Sequence, residues 1–196
     1  MIAPMLRRAL LILAVLGVGG CVATKSEPIA YDTAKPAEFA RVAGCRDPGR
    51  KAGESCLVLV RAADWHTRTT LPVDAGHAWC IEVPQEQVWF DASRASSPLD
   101  GEPGSDTMNV LARWKRVGGA PWLAVVVGTV TPAGAEVDRA LVRDTPALGA
   151  CRHGYRPAAA GLLVFYANDA VAPVGSESYF YANNAGQVWV KLTPLP

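Results

Sequence analysis

The chain of 196 residues carries little net charge, with 19 Lys and Arg against 18 Asp and Glu and a formal charge of +1. Binding to nucleic acid rests on neutralising phosphates with a basic excess or stripe, so nucleic acid is excluded as a leading partner. Long apolar runs are also missing. The longest is the stretch Ala9 to Gly20, well short of the roughly 20 residues that a bilayer-spanning helix needs. The sequence has no H-E-x-x-H, no P-loop and no dinucleotide fingerprint, which removes the commonest metal and phosphate enzymes. Ser176 lies in Val174-Gly175-Ser176-Glu177-Ser178 without the second glycine of a nucleophile elbow. The three histidines, His66, His77 and His153, form no triad context. The expectation is a binding protein and not an enzyme.

What the sequence does have is an apolar half of its composition, enough for the core of one ordinary domain. Arg7 and Arg8 precede the apolar run, and Val18-Gly19-Gly20-Cys21 closes it, which is the order of an export signal over residues 1–20. The small residues before Cys21 resemble the lipobox of bacterial lipoproteins, which implies a diacylglycerol on Cys21 as the first mature residue. The alternative is a plain signal peptide with Cys21 a passenger. Several acyl chains anchor a domain stably, so membrane contact is expected through Cys21 alone. Val22 is not a retention aspartate, and resemblance to sorted lipoproteins implies the outer membrane, facing periplasm or surface. Processing leaves 17 basic residues against 18 acidic ones, a formal charge of −1.

Cys45, Cys56, Cys80 and Cys151 remain, an even number in an oxidising compartment, so two disulfides are expected. Four cysteines allow three pairings and sequence does not choose among them. The polar Gly/Arg/Lys loop favours Cys45 with Cys56, leaving Cys80 with Cys151. A zinc site would lack C-x-x-C spacing and clustered histidines. Residues 21–40, with Pro28 and Pro36 among polar residues, read as the lipidated cysteine and a flexible linker.

The domain over 41–196 shows short apolar runs separated by Gly, Pro, Asp and Ser, the signature of strands. Candidates are Leu57 to Val60, Trp79 to Val83, Val88 to Phe90, Trp122 to Val130, Ala140 to Val142, Leu162 to Ala167 and Val188 to Leu192. Trp79, Ile81 and Val83 alternate with Cys80 and Glu82, and Val188, Val190 and Leu192 alternate with Gln187, Trp189 and Lys191. Trp122 to Val130 and Leu162 to Ala167 are apolar on both faces, as central strands are. Helix finds support only around Thr107 to Arg116. The fold class is all-β, a sandwich or jelly roll of one domain.

One stretch carries chemistry: Gly161-Leu162-Leu163-Val164-Phe165-Tyr166-Ala167-Asn168-Asp169, then a loop, then Tyr181-Ala182-Asn183-Asn184-Ala185-Gly186 before the last strand. Asp169, Asn183 and Asn184 offer three side-chain oxygens at strand mouths, and Ca²⁺ takes six to eight oxygens. The same residues are also ordinary turn formers. The pattern resembles the calcium-dependent galactophilic lectins of the PA-I type, small galactose-binding-like jelly rolls, over roughly residues 57–193. The resemblance implies Ca²⁺ held by Asp169, Asn183, Asn184 and the carbonyls of Val73 and Phe180, with two sugar hydroxyls completing the shell. Three departures qualify it. The loop after Asp169 is longer than the family's, and the family's galactose-selecting His and Gln have no counterpart in Asp91 to Gly101. Asp169 is the only carboxylate assigned to the ion, so calcium binding in the weak extracellular range is implied. Glu177 in the longer loop is a candidate second charge.

Six tryptophans suit a saccharide partner, whose apolar face packs on aromatic rings. Trp65, Trp89 and Trp114 are the platform candidates, while Trp79 and Trp122 belong in the core. Arg113-Trp114-Lys115-Arg116 is a small basic-aromatic cluster that reads as a solvated face. The functional expectation is a lipid-anchored, lectin-like carbohydrate-binding domain with Ca²⁺. The alternative is a metal-free protein-interaction lipoprotein, an envelope inhibitor, immunity or assembly factor, on the same fold.

Overall fold

A computed structural model describes residues 34–51, 53–172 and 178–196. The expectations for the signal at 1–20, Cys21, Ser176 and Glu177 lie outside the described residues. The described chain is all-β, with strands β1 (Cys56–Arg61), β2 (Thr67–Val73), β3 (Trp79–Glu82), β4 (Trp89–Asp91), β5 (Arg94–Ser96), β6 (Val125–Val130), β7 (Glu136–Leu141), β8 (Gly154–Tyr155), β9 (Gly161–Ala167), β10 (Asn184–Ala185) and β11 (Gln187–Pro194). Among the described residues one α-helix occurs, α1 (Asp106–Val110), capped by Ser105 and followed by a 3-10 turn at Ala112–Trp114.

Alternation along β11 places Val188, Val190 and Leu192 inward, and β3 does the same with Trp79 and Ile81. These strands sit together in a four-stranded sheet of order β1-β11-β3-β8. A second sheet of order β2-β9-β6-β7 faces it, contributing Leu71, Val73, Val125, Val127, Leu163 and Phe165 to the same core. The result is a β-sandwich. The two central strands of the second sheet also bury their outer faces, where Val126, Val130, Val164 and Tyr166 pack under Val117 and Ala120. That is why their sequences are apolar at consecutive positions. A short third sheet, β10-β4-β5, closes one end.

The structure departs from the sequence reading at three places. The run Trp122 to Val130 becomes strand only from Val125, because Leu123 takes a left-handed backbone at φ 56° and its N–H is given to the carbonyl of Asn168. Strand β2 is hidden in the sequence by polar inward residues, Thr67 and Thr69, and by Pro72, which the edge position of β2 tolerates. The linker expected to reach residue 40 is already packed onto the domain at a 3-10 turn, Ala37–Phe39, where Phe39 is buried. The disulfides are Cys45–Cys56 and Cys80–Cys151, with Cα separations of 4.8 and 5.6 Å. Pairing of this kind belongs to an oxidising, extracytoplasmic setting. No helix among the described residues is long and apolar enough to cross a membrane.

Gly161 opens β9 where a Cβ would stand 2.3 Å from the carbonyl oxygen of Val130. Backbone cannot yield as a flexible side chain does, so Gly161→Ala is expected to destabilise the sandwich by about 1–3 kcal/mol. A lower urea midpoint at unchanged m-value checks this.

Candidate functional site

Strand β9 ends at Ala167, and the chain leaves it through two buried polar residues, Asn168 and Asp169. Asn168 is consumed by structure. Its Oδ1 accepts from the N–H of Val117 at 2.9 Å, and its Nδ2 donates to the carbonyls of Val117 and Pro121 at 3.2 and 2.8 Å. Asp169 faces other partners. Its Oδ1 accepts from the N–H of Ala170 at 2.6 Å and its Oδ2 from Asn184 Nδ2 at 2.8 Å.

Asn183 and Asn184 arrive on a 3-10 turn, Tyr179–Asn183, that runs into β10. Gly186 then takes φ 89°, a conformation that suits glycine, and leads the chain into β11. Asn183 Nδ2 donates to Asp91 Oδ1 at 2.5 Å, and Asn184 Nδ2 also reaches the carbonyl of Ala62 at 3.3 Å. Asp91 stands opposite Asn184 in the β10–β4 register. The following Ala92 holds a left-handed backbone, φ 51°, and is tied by its N–H to the carbonyl of Asn183 at 3.0 Å. A hairpin turn with positive φ normally takes Gly or Asn, so the alanine there is strained and Asp91 is held inward.

Four side chains therefore meet: Asp91, Asp169, Asn183 and Asn184, each no more than 8 % exposed. Among the described residues Oδ1 of Asn183 and Oδ1 of Asn184 are buried without a hydrogen-bond partner, although buried amide oxygens are almost always paired. Burial, then the nearby Asp91 charge, pushes the Asp169 carboxyl up to about 7. Burial, then Glu102, also raises Asp91. The place has a deficit of positive charge.

Behind it lies a second polar cluster. The guanidinium of Arg116 is stacked between the rings of Tyr166 and Trp65, at 3.2 and 4.3 Å from their centroids, and donates to the carbonyl of Trp65 at 2.6 Å. It pairs with Glu136 at 2.6 Å and lies against His66 Nε2. Tyr166 donates to Glu136 at 2.5 Å. Burial alone would raise Glu136, but hydrogen bonds from His66 and Tyr166 and the charge of Arg116 outweigh it and hold the carboxyl down at about 2. The N–H of Arg116 is given to the carbonyl of Asp169 at 3.1 Å, which couples this cluster to the first.

The structure brings the side chains of Asp169, Asn183 and Asn184 to one place, as the resemblance implied, and separates other expected residues from them. Val73 pairs with Gly161 at the beginning of β9, six residues and roughly 20 Å from its end at strand rise, so its carbonyl is remote from the site. The carbonyl that meets Asn184 belongs to Ala62. Phe180 lies in the turn that presents the asparagines, with its side chain packed on Met108, Leu111, Trp122 and Ala170. Trp89 is fully buried and donates its indole N–H to the carbonyl of Leu123 at 2.7 Å, so it offers no platform. Trp65 is covered on one face by Arg116 and meets Tyr181 edge-on. Trp114 is half-buried beside α1, with Arg113 4.5 Å over its ring. Arg116 is not solvated but buried. Asp91 was missed, because its strand is three residues long and the pairing with Asn184 spans most of the domain.

No family model matches the chain and no curated protein matches it. Among solved structures the chain is similar to the "EclA N-terminal domain; PllA-like lectin", at 14 % identity and a TM-score of 0.43, covering 71 % of this chain and 95 % of that one.

Two outcomes follow from the opposed carboxyls. Glu136 is depressed, so its contribution is present above the ordinary carboxylate range and lost as pH falls toward about 2. Glu136→Gln should cost about 3–5 kcal/mol at neutral pH by leaving Arg116 uncompensated, and should flatten the acid limb of a urea-midpoint profile. Asp169 is raised, so with chelator present the folded state holds a proton that the unfolded chain lacks between about 4 and about 7. Stability should fall as pH rises through that window, and Asp169→Asn should remove the slope.

Proposed function

We propose that this chain is a saccharide-binding module of the cell envelope, anchored by lipid at Cys21, in which Ca²⁺ held by Asp169, Asp91, Asn183 and Asn184 engages a pair of sugar hydroxyls. The observation that carries the reading is the meeting of two buried carboxyl groups with the side-chain amides of two buried asparagines, whose Oδ1 atoms have no partner among the described residues. Hard cations take oxygen ligands and prefer charged ones. Amide oxygen and nitrogen exchange places by a half-turn of the terminal torsion, and which of them faces a carboxylate is set by what lies between. Asp91 adds the second carboxylate that the resemblance alone did not supply. When bound, the cation neutralises both acids and leaves open positions for hydroxyls. No bond is broken in this reading. Export and lipidation are supported by Arg7, Arg8, the apolar run and Gly19-Gly20-Cys21, together with the two disulfides.

A second reading, a metal-free protein-interaction lipoprotein, is favoured by one observation. Asn184 Nδ2 donates to Asp169 and Asn183 Nδ2 donates to Asp91, so each buried carboxyl already has a side-chain hydrogen bond from within the protein.

Thermal unfolding with millimolar Ca²⁺ and with chelator separates the two. A ligand of the folded state at a hundredfold excess over Kd stabilises by about 2.7 kcal/mol, which for a domain of this size is a rise of roughly 5–10 °C. The rise is expected in the wild type and should be lost in Asp169→Asn and reduced in Asp91→Asn. A melting point unmoved by Ca²⁺ would leave the metal-free reading. A glycan array in Ca²⁺ then identifies the saccharide, and an empty array would turn the search to a protein partner.

A further inference from the structure

The short sheet that carries the buried acids and amides extends past them. Asn184 of β10 pairs with Asp91 of β4, and Asp91 with Arg94 of β5. Directly opposed residues of antiparallel strands send their side chains to one face, with Cβ atoms about 5 Å apart. Asn184, Asp91 and Arg94 therefore form a row that leads from the buried donor set to the edge strand of the sheet. Along it the side chains pass from buried to half-exposed, Asp91 being 8 % exposed and the side chain of Arg94 46 %.

The guanidinium at the end of the row is held in a fixed plane. Its Nε donates to both carboxylate oxygens of Glu102, at 3.2 and 3.1 Å, and its Nη2 donates to one of them at 2.8 Å. Glu102 is itself buried, and its backbone exchanges two hydrogen bonds with Trp122, each 2.8 Å. A guanidinium presents forks of paired N–H donors that match a carboxylate. The side fork, Nε with Nη2, is spent on Glu102, while Nη1 has no acceptor among the described residues, so the end fork is open. Fixing the side chain in advance removes an ordering cost that a free surface arginine carries on binding.

The balance of charge admits an anion there. Glu102 and Arg94 both act electrostatically on Asp91, and Asp91 acts on Asp169. Against the three carboxyls of Asp91, Asp169 and Glu102, a bound Ca²⁺ and Arg94 together supply three positive charges. A carboxylate arriving at the end fork meets no net negative charge.

We propose that Arg94 is a specificity-determining residue and that the saccharide is a hexuronic acid, with its hydroxyls on Ca²⁺ and its ring carboxylate on the end fork of Arg94. The inference rests on the calcium reading above and names the class of sugar within it. A carboxylate and a hydroxyl pair on one pyranose ring are separated on the scale of the single strand spacing, about 5 Å, between Asp91 and Arg94.

Titration calorimetry of the whole mature protein tests it. The probes are methyl galacturonide and methyl glucuronide against methyl galactoside and methyl glucoside, each in millimolar Ca²⁺ and in chelator. At least one uronide is expected to bind about tenfold or more tighter than the hexoside of the same configuration, in Ca²⁺ only, with an affinity that falls as salt rises. Arg94→Lys keeps a cation beside Glu102 but has no fork, and Arg94→Gln with Glu102→Gln removes the pair together. Both variants should bring the uronide down to the affinity of its hexoside, with cooperative urea transitions showing that they are folded. The melting point in Ca²⁺ and in chelator is read on the same wild-type samples. A rise in Ca²⁺ with uronides binding no better than hexosides, or with a preference that survives in both Arg94 variants, would overturn the role of Arg94 and leave the calcium reading. Uronide binding undiminished in chelator would overturn it as well. A wild type that neither melts higher in Ca²⁺ nor binds any of the four glycosides would overturn both.

Discussion

Burial of both faces of β9 is the constraint on which the rest depends. A strand in the middle of its sheet, covered by the opposite sheet on one side and by the loop around Val117 on the other, must be apolar at successive positions. Where such a strand ends, the chain is still inside the protein. The next two residues are polar, and neither can reach bulk water. Asn168 answers by bonding the loop that covers the sheet, and so locks the cover in place. Asp169 has no comparable set of donors, and a carboxylate is left where its charge is least welcome.

Two polar clusters a few residues apart show opposite solutions to burying charge. Around Glu136 every acceptor is met by Arg116, Tyr166, His66 or Arg139, and the carboxyl is held ionised. Around Asp169 the charge that acts on it is another carboxylate, Asp91, and the donors among the described residues are the Asn184 amide and the Ala170 backbone N–H. Asp169 is also the more deeply buried of the two, Glu136 being only partly buried. The guanidinium of Arg116 adds to that difference by meeting Glu136, while Asp169 has no such partner among the described residues. The strained Ala92 fits this division, since backbone strain is retained where the surrounding structure enforces a particular side-chain position.

Much of the fold was legible because period-two and two-faced apolar patterns are local. Strands β3, β9 and β11 stood out for that reason, and the polar cysteine loop anticipated the Cys45–Cys56 bridge. Strand β2 was not legible, since its inward threonines hide the alternation. The convergence of Asp169 with the asparagine pair was anticipated by a pattern of residues. Asp91 and Ala62 were not, because they reach the site through register across strands distant in sequence. Val73 failed for the same reason: its place is set by pairing with Gly161, which no short motif reveals. Tryptophans were misassigned where a ring that looked like a loop residue, Trp89, turned out to fill the core.

Strand β11 lies between β1 and β3, pairing Val190 with Val58 on one side and Leu192 with Ile81 on the other. The eleventh strand is thus the keystone of a sheet whose first member was made more than a hundred residues earlier. Until it emerges, β1 and β3 have no neighbour to join them, and the greasy inner surface of the opposite sheet stands uncovered. Such long-range closure makes assembly slow and leaves a window for misassociation. A nascent polypeptide of this kind is safest when chaperoned through that interval, and it gains its native form late and all at once.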